Sequence, residues 1–175
     1  MTLKKIKTIG IIITFSMCFI THYLYSWYPN PLFSILFPVN ESIFEHMKMI
    51  SSTILIWQII EHLLIKKYNL KANNYLLTSF ILSILSIIVY LVIYMPIYNL
   101  MGENFIINII VLFISIYLAN NIGYLLLKSK KIKHQKLIGY LGIILLYITF
   151  AFLTYDPPKT KLFIDKRNNT YGIKT

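Results

Sequence analysis

Phe37-Pro38-Val39-Asn40-Glu41-Ser42-Ile43-Phe44-Glu45-His46-Met47-Lys48 is the stretch whose reading decides the fold. It carries two of the six carboxylates and one of the four histidines, at the mouth of an apolar run that continues to Ile65. Asn40 or Ser42 caps a helix there, because a short polar side chain accepts from the free N–H groups of a first turn. Glu41 suits the positive end of that helix. At helical spacing Glu41, Glu45, Lys48 and Ser52 form one stripe, and Ser42, His46, Met49 and Thr53 form its neighbour. Charged and titratable groups this close to hydrocarbon face a bundle interior or a wet cavity. Two readings follow: a capped helix start with a Glu45–Lys48 pair at headgroup level, or a polar site.

Outward from that stretch the chain is mostly hydrocarbon-length sequence. It is 57% apolar and 13% charged, against roughly 25% charged residues in soluble domains. An ordinary soluble fold is excluded. A bilayer core takes about 20 apolar residues per helix, and five runs qualify: 9–27, 41–65, 75–97, 103–127 and 137–155. The fold class is therefore all-α, a helical integral membrane protein with five spans in one domain and a polar tail, 156–175. The first run is read as an uncleaved span, because no small-residue cleavage site follows it. Tyr23, Tyr25, Trp27 and Tyr28 form an aromatic belt at its far end. Pro29 to Val39 is too apolar for a free loop and too short to span, so it is interfacial or re-entrant. Pro96 is expected to close the third span, and Gly139 and Gly142 to allow close helix contact. The single cysteine, Cys18, excludes an internal disulfide.

A net charge of +11 in a soluble protein would suggest nucleic acid. Here the lysines sit in short connections, so the lipid bilayer is the partner and nucleic acid is not. Positions 1–7 hold three lysines, 66–71 three and 128–136 five, whereas 27–40 and 97–104 hold none. The excess of lysine on cytoplasmic loops puts the N-terminus in the cytoplasm and, after five spans, the tail outside. Lys159, Lys161, Lys166, Arg167 and Lys174 in that tail oppose the placement. The lysine-free connections decide it.

Pro38 to Lys48, with Thr21-His22-Tyr23-Leu24-Tyr25-Ser26-Trp27, Thr154-Tyr155-Asp156-Pro157-Pro158 and Leu162-Phe163-Ile164-Asp165, resembles a family of small bacterial membrane proteins known as a domain of unknown function. Its pattern is P-V-N-E-S-x-x-E-H-x-K. The resemblance covers essentially the whole chain. It implies a multi-spanning protein of the bacterial cell membrane and no particular activity.

With this topology the polar groups sort by depth. His22, Asn40, Glu41, Ser42, Glu45, His46 and Asp156 gather at the outer side as ligand-binding candidates. His22, Glu45 and His46 are the candidate metal ligands, because zinc takes imidazole nitrogen and carboxylate oxygen. A metal there would activate water. The expected function is binding or transport of a cation or small polar ligand through an outward-facing cavity. The alternative is a membrane-embedded, metal-dependent hydrolase at the outer leaflet. Ser42-x-x-x-His46 is similar to an element of membrane-embedded ceramidase-type hydrolases, but the later His pair those require is absent: only His134 follows His62. A second set, Glu61, His62, Asn120 and Asn121, lies toward the cytoplasmic side. It reads as interhelical hydrogen bonding or as a proton or ion relay.

The five-span count has a direct test. Single cysteines at Asn30 and Asn169, in a Cys18→Ala background, both label with an impermeant thiol reagent in intact cells. Labelling at position 30 alone contradicts it.

Overall fold

Thr2, Asn30, Ser42 and Asn104 each stand just before a helix, and the side chain of each accepts from the N–H three residues on. Such caps fix where helices begin. The computed structural model describes residues 1–173; Lys174, counted above with the tail, lies outside them. The helices are α1 Leu3–Thr21, α2 Leu24–Trp27, α3 Pro31–Leu36, α4 Ile43–Lys67, α5 Tyr75–Met101, α6 Phe105–Lys128 and α7 Gln135–Tyr155. Five spans are long and apolar enough to cross a membrane: Leu3–Trp27, which joins α1 and α2, and α4 to α7. Ile59, Val92, Leu125 and Ile148 stand exposed on the outside of the bundle, as a hydrocarbon solvent requires.

α5 packs against α4, α6 and α7, and α1 against α4 and α6. A Cβ on Gly139 would lie 2.3 Å from the Leu76 backbone, so α5 and α7 meet backbone to backbone. Pro96 does not close the third span. α5 continues through it to Met101 and stops at Gly102, at φ 76°. Within a bundle, neighbouring helices hold a turn that has lost one hydrogen bond, and here Tyr94 and Tyr98 are buried on either side of Pro96. Tyr90 stacks on Tyr94 at 5.2 Å, Tyr98 lies tilted against Tyr94 at 5.7 Å, and all three are buried.

The 29–39 connection forms a short helix laid on α7. Ser34 Oγ pairs with the Tyr155 hydroxyl at 2.9 Å. Behind it the Lys48 ammonium, fully buried, donates to Ser34 O at 2.6 Å and to Thr154 Oγ1 at 2.9 Å, and pairs with Glu45 Oε2 at 2.6 Å. One cation thus ties α3, α4 and α7 together. Glu45 Oε2 also accepts from Val39 N at 3.0 Å, which fixes the entry into α4.

The tail folds back onto the start of α4. Strands β1 Ile164–Asp165 and β2 Thr170–Tyr171 pair antiparallel, and Asp165 accepts from Arg167 N and Asn168 Nδ2 to shape the turn. Phe163 packs on Phe44 with centroids 4.7 Å apart. Phe44 N, free at the helix start, donates to Leu162 O. Asn40 bridges the two segments: its Oδ1 accepts from Ser42 N, and its Nδ2 donates to Gly172 O.

Removing one member of a buried ion pair costs about 3–5 kcal/mol, because the other charge is left uncompensated. Lys48→Met and Glu45→Gln each lower the thermal stability of the purified protein by that order. Lys48→Met combined with Glu45→Leu recovers part of the loss, read from unfolding transitions in one detergent.

Candidate functional site

His22 sits at the joint between α1 and α2, where its N–H closes the last turn onto Cys18 O. Glu41 lies in the turn before α4, and His46 in the first turns of that helix. Three separate local geometries therefore deliver three side chains to one point. His22 Nε2 is 3.5 Å from Glu41 Oε2, and His46 Nε2 is 3.8 Å from the same oxygen. The two rings are 5.4 Å apart, and one donor atom from each residue lies within 4.8 Å of the others. Ligands about 2.1 Å from a tetrahedral zinc are separated by about 3.4 Å, so an ion is reached by small movements of side chains.

His46 Nδ1 is 2.9 Å from Ser42 O. A carbonyl only accepts, so Nδ1 carries a proton and Nε2 is the nitrogen left toward Glu41, to take a second proton or a metal ion. A backbone carbonyl behind the ring is the usual way a metal-binding imidazole is oriented. His22 packs against the Tyr23 ring at 4.9 Å. Arg167 of the tail reaches over the group, with Nη2 3.8 Å from Glu41 and 3.4 Å from Glu103. Lys166 lies 4.3 Å above the Tyr98 ring. Two of the basic residues that oppose an external tail are thus placed against carboxylates and an aromatic face.

A cavity of about 210 Å³ runs from this group into the bundle between α1, α4, α5 and α6. His22, Glu41 and His46 line its polar end. Met49, Ile50, Ile109 and Leu112 line the apolar part. Tyr90 also lines it and donates to Asn108 Oδ1 at 2.7 Å.

The other candidates lie elsewhere. Glu45, expected as a ligand, is instead held by Lys48 and Val39 N, because a buried ammonium without a counter-charge costs more than a neutral imidazole without a carboxylate. Ser42 caps α4, its Oγ accepting from Glu45 N. Asn40 docks the tail. Asp156 ends α7 exposed and forms no ion pair among the described residues. In the second set, Glu61 Oε2 takes Lys7 at 2.9 Å and Gln58 Nε2 at 2.7 Å, and Asn120 Nδ2 donates to Lys7 O. His62 stacks on Tyr75 at 4.3 Å, and Asn121 turns back to Tyr117 O on the exposed face. Sequence reasoning counted Lys7 as a loop lysine. The available signal was its depth, since Lys7 and Glu61 fall at the same end of adjacent spans.

Glu41 is the ionisable member of the group outside the spans. The His22 imidazole beside it, with further attraction from His46 and Arg167, holds its carboxyl down to about 2 against the opposing effect of burial. A carboxyl depressed on folding contributes stability above its ordinary value near 4.5 that is lost as pH falls toward about 2. The stability difference between the native protein and Glu41→Gln is therefore present at pH 6 and shrinks between pH 4.5 and 2. A difference that stays constant across that window contradicts the pairing.

The chain belongs to a family of unknown function (DUF6512), whose model matches residues 1–173. No curated protein and no solved structure matches it.

Proposed function

We propose that this family member is a multi-pass protein of the bacterial cell membrane that binds a divalent cation through His22, Glu41 and His46 on its extracytoplasmic side. The N-terminus is then cytoplasmic, as the lysine-rich connections favour. The observation that carries the reading is the convergence of two imidazoles and a carboxylate within 4.8 Å, from three local segments. The proton fixed on His46 Nδ1 supports it. Two nitrogens and one oxygen suit zinc.

Binding is favoured over conduction. Ile50, Ile54 and Ile116, each 4% exposed or less, belong to the core, a second cavity, beside Ile54, Ile116, Gln58 and Asn120, holds only about 10 Å³, and the Thr21 and Thr53 hydroxyls hold each other at 2.7 Å. The second reading, a hydrolase at the outer leaflet, is favoured by the cavity at the site. Three protein ligands leave a zinc coordination position open, and water bound there ionises near neutral pH.

Metal analysis tests the proposal. The purified protein, exposed to zinc and then desalted, retains one zinc per chain. His22→Ala, His46→Ala and Glu41→Gln each lose it, whereas Asn121→Ala keeps it. The double histidine variant binds no less than either single one, because residues serving one ligand act as a unit. Equal retention in all variants overturns the site.

A further inference from the structure

The cavity is amphiphilic along its length, and its walls reach two different surfaces. At one end stand His22, Glu41 and His46, with Glu103 and the exposed Arg167 at a polar mouth. Away from them the lining is Met49, Ile50, Ile109 and Leu112. Phe19 and Phe105 also line it, yet they are 45% and 70% exposed. Both belong to membrane-length spans, so this side of the cavity meets the apolar exterior between α1 and α6. Deeper along the same seam Phe15 packs edge-on against Phe113 at 5.3 Å, and the two helices close.

A water-soluble ion or metabolite needs no apolar chamber and no wall of exposed phenylalanine. A molecule already in the bilayer uses both. We infer that the cavity receives a single-chain amphiphile with an anionic head group, carboxylate or phosphate. It enters sideways between α1 and α6, with the head at His22, Glu41 and His46 and the first part of the chain against Ile109 and Leu112. The head-group end of this inference rests on the cation reading. A divalent ion and Arg167 together outweigh Glu41 and Glu103 by one positive charge, which favours an anion. The volume of about 210 Å³ is below the roughly 300–1,000 Å³ of sites that enclose a drug-sized ligand. It suits a head group and a short length of one chain, with the rest left in lipid, and leaves no room for a second chain beside the first.

Photocrosslinking tests this. The full chain in lipid nanodiscs, zinc-loaded or chelator-treated, is irradiated with one of two probes carrying a diazirine early in the acyl chain: a monoacyl glycerol phosphate and a fatty acid. Label is expected on the α6 peptide containing Ile109 and Leu112 and on the α4 peptide containing Met49 and Ile50. Ile109→Trp, which fills the chamber, reduces it by about tenfold, a change of about 1.4 kcal/mol in occupancy. Leu112→Phe is a milder filling variant and lowers labelling in the same direction. Unlabelled single-chain amphiphile competes, and diacyl lipid does not. Preference for one probe identifies phosphate or carboxylate as the head.

Label confined to outward residues such as Val92 and Leu125, unchanged by either variant, overturns the proposal. Loss of zinc with cavity labelling retained overturns the head-group contact and leaves the chain site standing. Zinc retained with no cavity labelling leaves the cation site and removes the amphiphile.

Discussion

The Lys48 ammonium is the constraint on which the rest of this end of the bundle depends. A charge with no exposure at membrane depth is tolerated only when its donors are used, and Lys48 has three partners on three elements: Ser34 O, Glu45 Oε2 and Thr154 Oγ1. Glu45, neutralised by that contact, also holds the Val39 N–H. The turn carrying Asn40 and Glu41 is therefore fixed from below. The carbonyl at the end of α3 also lies where a cation is favoured by the partial negative charge of a helix C-terminus.

From the fixed turn the site follows by short steps. Ser42 caps α4 and turns its carbonyl to His46 Nδ1, so one residue starts the helix and orients the imidazole. Asn40 holds the tail by Gly172 O, and the tail brings Arg167 above Glu41 and Glu103. The basic tail and the acidic mouth are thus joined by the residues that start the span. The two carboxylates separate cleanly here: Glu45 with Lys48 holds the frame, while Glu41 lines the cavity with His22 and His46.

Two polar layers at opposite ends of one bundle contrast in kind. At the lysine-rich end Lys7 and Gln58 both donate to Glu61 Oε2, and Asn120 donates to Lys7 O. These bonds pin α1, α4 and α6 together, while Glu61 Oε1 and Asn120 Oδ1 stay buried without a protein partner. At the other end the two histidines share one carboxylate at 3.5 and 3.8 Å, beyond good hydrogen-bond length. Here the two imidazoles and the carboxylate converge beside a cavity.

The sequence by itself determined the five spans, because hydrocarbon thickness and backbone hydrogen bonding leave few alternatives for apolar runs of this length. It also placed a helix start at Asn40 or Ser42, a local matter of one side chain and one turn, and the structure puts the cap on Ser42. Helical spacing put Glu41 with Glu45 on one stripe, and there local periodicity misled: Glu41 precedes the helix, so its direction is set by the turn and not by the 3.6-residue repeat. Pro96 misled for a related reason, since a bundle can hold a turn that an isolated helix would lose. The tertiary structure alone decided which carboxylate meets the histidines. Glu45 and Glu41 are chemically alike, and only the position of Ser34 and Thr154, from elements 14 and 106 residues away from Lys48, commits the first to an ammonium and leaves the second beside the histidines.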